Sequence, residues 1–186
     1  MSIIDTVTSE TANPEQKDLL DAIQNKLGMV PNFLGILAQS PDALNAFLGL
    51  HSISEKGALD PQTRERIALT VAQGNGCEYC VSAHTAIAGN AGLSADEINA
   101  NRAGSSLETK AAAAIKFAGA LNEHLGEVTQ AEYDAVRRAG YSNAEIVEII
   151  THVGMNILTN IIGKATRVDI DFPKISLDLQ ATKHAA

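Results

Sequence analysis

The stretch Gly74-Asn75-Gly76-Cys77-Glu78-Tyr79-Cys80-Val81-Ser82-Ala83-His84 contains both of the chain's 2 cysteines. Gly-Asn-Gly breaks the chain ahead of Cys77, and the residues after it read as a helix ending near Gly89-Asn90. On a helix, residues three and four apart share a face. Cys77, Cys80 and His84 step by three and then four, so they fall along one stripe. Cys77 is placed in the first turn, where unpaired N–H groups and the helix dipole favour a thiolate. His84 is placed to touch Cys80, taking its proton or stabilising its anion. A helical Cys-x-x-Cys closes to a disulfide with little backbone movement, so the pair can cycle between dithiol and disulfide. Glu65 lies twelve residues before Cys77, on the preceding helix of a hairpin, within reach of the same site as a proton carrier.

Working outward, the flanking sequence is helical throughout. Asn13-Pro14, Ser40-Pro41 and Asp60-Pro61 each supply a cap followed by proline at the first helical position. Val30-Pro31-Asn32-Phe33 reads as a turn into a short helix. Ser94-Glu97, Ser105-Glu108, Thr129-Glu132 and Ser142-Glu145 fit the capping box, in which each side chain satisfies a free backbone N–H of the other. No run alternates as a strand does, so the fold class is all-α. Ala91–Ile98 and Ala139–Ile146 share five identities in eight, which raises two related helical hairpins beside the plainer reading of a good helix–turn–helix junction. The expected organisation is a flexible lead-in over residues 1–12, one helical domain over 13–167 and a C-terminal arm or tail over 168–186.

In the last long helix, Glu148, His152, Asn156 and Asn160 recur every fourth residue on an otherwise apolar cylinder. Such a helix is buried on most sides, against its own domain or another subunit. The polar stripe itself is expected to face solvent rather than a cavity. His51, His124, His152 and His184 have no partner visible in sequence and read as ordinary.

The 186 residues suffice for one domain with a substantial core. Apolar residues make up 45% and aromatics only 4%, a mixture suited to closely packed helices. A net charge of −8 argues against a nucleic-acid or anionic-membrane partner, both of which call for clustered Lys and Arg. The first residues, Met1-Ser2-Ile3-Ile4-Asp5-Thr6, lack the basic region and apolar run of a signal peptide, and the chain is expected to be cytoplasmic. In a reducing compartment two cysteines three positions apart point to catalysis or metal binding rather than a structural staple.

Other chemistries fit the motif less well. Zinc would have Cys77, Cys80, His84 and either Glu65 or His51, but the second close Cys or His pair of a structural site is missing. A c-type haem needs histidine directly after the second cysteine, where Val81 stands. A thioredoxin-like fold needs strands. Two buried cysteines with a satisfied core histidine is the bland alternative.

The spacing of Glu65, Cys77, Cys80 and His84 resembles the AhpD-like alkylhydroperoxidases of the carboxymuconolactone decarboxylase superfamily. Arg64-Glu65, Asn75-Gly76-Cys77-Glu78-Tyr79-Cys80 and Ala83-His84-Thr85 are similar to the words of its peroxidase-related branch, as are Val30-Pro31-Asn32-Phe33 and Ser40-Pro41. The resemblance runs from about Leu27 to Arg167. It implies an AhpD-like helical bundle that assembles as a trimer or hexamer. It also implies a hydroperoxide substrate, a dithiol or thioredoxin-like electron donor, and no cofactor beyond a redox-active Cys77–Cys80 disulfide. By the same resemblance Cys80 attacks the peroxide, Cys77 resolves the sulfenic acid, and Glu65 and His84 relay protons. Helix-dipole reasoning alone favours Cys77 as the more acidic thiol; acidity does not by itself decide which thiol attacks. The sequence departs from the family at Tyr79, where the well-studied peroxidases carry a relay histidine. A phenol titrates near pH ~10 and shuttles protons poorly at neutral pH. The superfamily's decarboxylases lack the cysteine pair, which argues against lyase chemistry. A dithiol reductant or redox-sensing protein without efficient peroxide turnover is the remaining alternative.

Overall fold

The computed structural model describes residues 2–179. These form ten helical segments and no strand, in agreement with the all-α reading. They are α1 (Pro14–Leu27), α2 (Asn32–Leu37), α3 (Pro41–His51), the single turn α4 (Ile53–Lys56), α5 (Pro61–Gly74), α6 (Glu78–Asn90), α7 (Ala95–Arg102), α8 (Thr109–Glu123), α9 (Gln130–Arg138) and α10 (Asn143–Thr166). Local chemistry sets most of the starts. Asn13, Ser40, Asp60, Ser94, Thr129 and Ser142 each cap a first turn through a side-chain oxygen. Full reciprocal boxes form at Thr129–Glu132 and Ser142–Glu145, and also at Asn13–Gln16.

Two of the expected boxes fail for one reason. Glu97 does not turn back to its own cap. Its carboxylate is drawn into the interior by Arg66 and Asn101, and it accepts hydrogen bonds from Ser106 Oγ and Leu107 N–H. That holds residues 105–108 out of the helix, so α8 starts at Thr109, with Glu108 in the cap position and no side-chain cap.

The central element is α5, which packs against α6, α7, α8 and α10. From Arg66 to Ala72 every residue of α5 is buried. On one side Ile67 and Val71 meet Phe117, Leu121, Ile146 and Ile149 of α8 and α10. On another, Ala72 joins Phe33, Phe47, Cys77, Cys80 and Met155 in the cluster that surrounds the cysteines. The chain ends close over this second cluster. Val7 is buried and donates its N–H to Gly35 O at 3.0 Å. Beyond α10, Ser82 Oγ accepts from Ile175 N at 3.0 Å, and Ser176 O and Leu177 O accept from Arg102 and Gln73.

The orientation of α10 is the main departure from expectation. Its polar stripe faces inward: His152, Asn156 and Asn160 are 2%, 3% and 1% exposed. Glu148 turns to α5's entry and accepts from Ala58 N and Leu59 N. The outward residues Val147, Ile150, Leu158 and Ile161 are apolar and exposed. By length and composition α10 would pass for a membrane span, but a core helix passes the same test, and this one buries polar groups against α5 and its neighbours.

Candidate functional site

The site is assembled where α5 gives way to α6. Asn75 closes α5, and Gly76 takes a left-handed conformation (φ 63°) that any side chain would strain, which reverses the chain. Cys77 is the N-cap of α6 rather than a residue of its first turn, and its sulfur accepts from Cys80 N–H at 3.4 Å. A side-chain web fixes this turn: Asn75 Nδ2 donates to Asn122 Oδ1 and Asn160 Oδ1 at 3.0 and 2.9 Å, and Lys164 Nζ donates to Asn75 O at 2.6 Å. The two cysteine sulfurs are within disulfide-bonding reach, with Cα atoms 5.3 Å apart. Behind them α10 presents Gly163, where an added Cβ would sit 3.3 Å from Cys77 Sγ.

In front of them lies a cleft of about 450 Å³. Its walls are mostly apolar, with Phe33, Phe47, Phe172 and Met155 among them. Cys80 lines the cleft and Cys77 does not, so the two sulfurs are inequivalent. Both are almost wholly shielded, Cys77 at 1% and Cys80 at 3% exposure.

Glu65 on α5 and His84 on α6 also line the cleft, their side chains 15% and 23% exposed. Glu65 Oε2 and His84 Nδ1 are 2.8 Å apart, a hydrogen bond that leaves Nε2 of the ring to exchange a proton. His84 makes no hydrogen bond to either sulfur among the described residues. Of the four expected residues, Glu65, Cys80 and His84 line one cavity and Cys77 does not, and the acid–base contact is between Glu65 and His84.

Tyr79 plays a different part. It is 7% exposed, and its hydroxyl accepts from Phe33 N–H at 3.3 Å. Burial, and then the neighbouring Asp171 carboxylate, push its phenol well above the ordinary value of 10. Its ring meets Phe33 and Phe172 at 6.1 and 5.9 Å between centroids. Tyr79 is a neutral bracket between α2 and the C-terminal arm.

Other polar residues also line the cleft, among them Arg64 and the histidines His51 and His152, which the sequence reading took as ordinary. The four-residue polar stripe of α10 was the signal for His152, and its inward orientation gives that stripe its meaning. His124 caps the end of α8, and His184 lies outside the described residues. Among the described residues no group of three or more His, Cys, Asp or Glu is placed to hold a metal ion.

Residues 41–123, which include Glu65, Cys77, Cys80 and His84, match the model of the carboxymuconolactone decarboxylase family. Among solved structures, the chain is similar to an uncharacterized peroxidase-related protein from Silicibacter sp. TM1040, with 26% identity, a TM-score of 0.79, and coverage of 90% of this chain and 91% of that one. A second, the alkylhydroperoxidase AhpD core of an uncharacterized peroxidase-related protein from Ralstonia eutropha JMP134, has 24% identity and a TM-score of 0.80 over 91% and 92% of the two chains. The debrominase Bmp8, in complex with 2,3,4-tribromopyrrole, shares the fold at 20% identity and a TM-score of 0.78 over 99% and 97%. No curated protein matches the chain by sequence.

Proposed function

We propose that this chain is a member of the AhpD-like carboxymuconolactone decarboxylase superfamily and a thiol-dependent peroxidase that reduces organic hydroperoxides through Cys80 and Cys77. The observation that carries this reading is the inequivalence of the sulfurs: Cys80 faces the cleft that also holds the Glu65–His84 pair, and Cys77 sits behind it. In the first step Cys80 thiolate attacks a peroxide oxygen and the O–O bond breaks. The products are a Cys80 sulfenic acid and an alcohol, whose oxygen takes the proton that His84 and Glu65 hold. In the second step the Cys77 thiol displaces water from the sulfenic acid and the disulfide forms. The sum is ROOH plus two thiols to ROH, water and one disulfide, and an external dithiol donor returns the protein to the dithiol.

The geometry favours Cys80 over Cys77 as the attacking atom, against the helix-dipole argument, because substrate reaches sulfur through the cleft. The alternative of a redox-sensing dithiol shares these atoms and differs in turnover. The exposed apolar face of α10 supports assembly with further copies of this chain as a trimer or hexamer, which light scattering on the purified protein tests. The expected setting is the cytoplasm, where a dithiol donor is available.

The deciding experiment is to reduce the protein, add cumene hydroperoxide, and follow free thiols and mass. Loss of two thiols and 2 Da per chain, reversed by a dithiol and repeated over many cycles, is the expected result. Cys80→Ser consumes no peroxide, and Cys77→Ser stops at a sulfenic acid that a dimedone probe traps. A single slow oxidation without turnover would replace the peroxidase by the sensor.

A further inference from the structure

The outer face of α10 serves neither the cleft nor the core. Val147, Ile150, Leu158 and Ile161 stand on it at 59%, 42%, 41% and 59% exposure, and Gly154 and Ala165 are exposed with them. From Val147 to Ala165 the steps are three, four, four, three and four residues. They average the 3.6 of a straight helix, so all six positions stay in one narrow row. The row reads alike from both ends. Gly154 is its centre; Ile150 and Leu158 lie four residues to either side, Val147 and Ile161 seven, and each pair is matched in exposure. A Cβ built on Gly154 would meet no atom within 4 Å. A glycine inside a helix weakens it, and nothing among the described residues needs the room that this one leaves. Charge is also missing. Among the exposed positions of α10 only Lys164 is charged, in a chain whose net charge is −8.

We propose that this face joins two copies of the chain, their α10 helices packed antiparallel about a two-fold axis at Gly154. A two-fold contact uses one patch twice, so the patch must be its own complement. Turning the row about Gly154 sets Ile150 against the partner's Leu158 and Val147 against the partner's Ile161, apolar against apolar. The glycine at the crossing lets the two backbones approach closely. Two acidic copies repel over most of their surfaces, and an uncharged row is where they can meet. Antiparallel packing also opposes the two helix dipoles. The inner face of α10, with Met155 and Asn156, lines the cleft, so the partner stands behind that wall and not in the cleft. The pairing narrows the assembly. A ring of three through this face would need a second, different patch, so the copies form a dimer or a hexamer of three pairs and not a trimer.

The test weighs the whole protein by light scattering and reads its contacts by cysteine cross-linking. Wild type should have the mass of an even number of chains. Gly154→Leu and Ile150→Glu should each bring that mass down by half, with helix content by circular dichroism unchanged, because both positions are exposed in the single chain. Cross-linking fixes the register. In the pair the two copies of residue 150 stand about 12 Å apart by helix rise, beyond the reach of a disulfide, whereas residue 150 of one chain meets residue 158 of the other. Ile150→Cys and Leu158→Cys, co-expressed and oxidised, should therefore link most chains into pairs, and either variant alone should link few. Cys77 and Cys80 are buried, so wild type treated alike should link none. An odd number of chains, a mass that both variants leave intact, or equal linking by the single variants would overturn the proposal. So would a single chain at every concentration; if that chain also sediments with phosphatidylcholine vesicles, the face is a lipid contact, for which α10 has the length and composition.

Discussion

Glu65 and Arg66 are sequence neighbours that leave α5 on different sides and enter two unlike acid–base pairs. Glu65 meets His84 at 2.8 Å on the wall of the cleft, and each member keeps part of its surface open. Arg66 meets Glu97 at 2.7 Å inside the protein, where both side chains are about 5–6% exposed. Glu97 also accepts from Asn101 Nδ2, Ser106 Oγ and Leu107 N–H, so its lone pairs are filled. The first pair has hydrogen-bonding capacity left over, and the second has almost none. Spare capacity beside a cavity suits proton transfer, whereas saturation in the core suits anchoring, here of α7 and the loop before α8 to α5.

The sharpest break of this contrast is to remove one acid at a time. Glu65→Gln should lower the rate of peroxide consumption on the order of 10²–10⁴-fold, the usual loss of a proton carrier. Its melting temperature should barely move, because a partly exposed pair contributes at most about 1 kcal/mol. Glu97→Ala should do the reverse. It strands Arg66 with only the exposed Glu108, 3.2 Å away, and should cost about 3 kcal/mol in urea unfolding. The kcat of the folded fraction should hold. If Glu97→Ala lost rate without stability, the division between the two pairs would be wrong.

Acid titration separates the pairs more finely. Burial alone would raise the Glu97 carboxyl, but hydrogen bonds from Ser106, Asn101, Leu107 N–H and Arg66 outweigh it and bring it from 4.5 to about 2. A carboxyl depressed in the folded state stabilises the protein above its unfolded value. That contribution, about 3 kcal/mol, is lost as pH falls from 4.5 toward 2. Unfolding midpoints for wild type should therefore fall across this window more steeply than those of Glu97→Gln. Parallel curves would show that the carboxylate is not held as the geometry requires.

How much of this was legible beforehand follows from which interactions are local. The Cys77–Cys80–His84 register and the caps at Ser94, Thr129 and Ser142 depend on residues three or four apart, and the sequence displays them directly. The loss of the expected Ser105 cap was not legible, because a residue from another helix, Glu97, took over the loop. The α10 stripe was visible as a period but not as a direction. Both faces of that helix are unusual, polar residues inside and apolar ones outside, so the habit of turning polar residues to water gave the wrong side. Arg64 and His152 share a cleft only once α5 and α10 are packed together. Tyr79 could be placed beside the site from its position, but its bracket with Phe33 and Asp171 joins residues far apart in the chain.

The smallest effect concerns two helical glycines. Gly49 in α3 has no atom within 4 Å of where a Cβ would lie, so Gly49→Ala should stabilise the protein by roughly 0.5–1 kcal/mol through helix propensity. At Gly163 in α10 the same Cβ would meet Cys77 Sγ at 3.3 Å, Val168 Cγ1 at 3.7 Å and Cys80 Sγ at 3.8 Å. Gly163→Ala should forfeit that gain and cost about 1 kcal/mol from overpacking. The penalty should be larger in the reduced protein, because two thiols must stand at van der Waals separation where a disulfide holds its sulfurs at bonding distance. The variant's disulfide should therefore be harder to reduce, which equilibration against a dithiol buffer reads directly. Identical behaviour of the two alanine variants in both redox states would show that Gly163 does no more for the sulfurs than Gly49 does on the exposed face of α3.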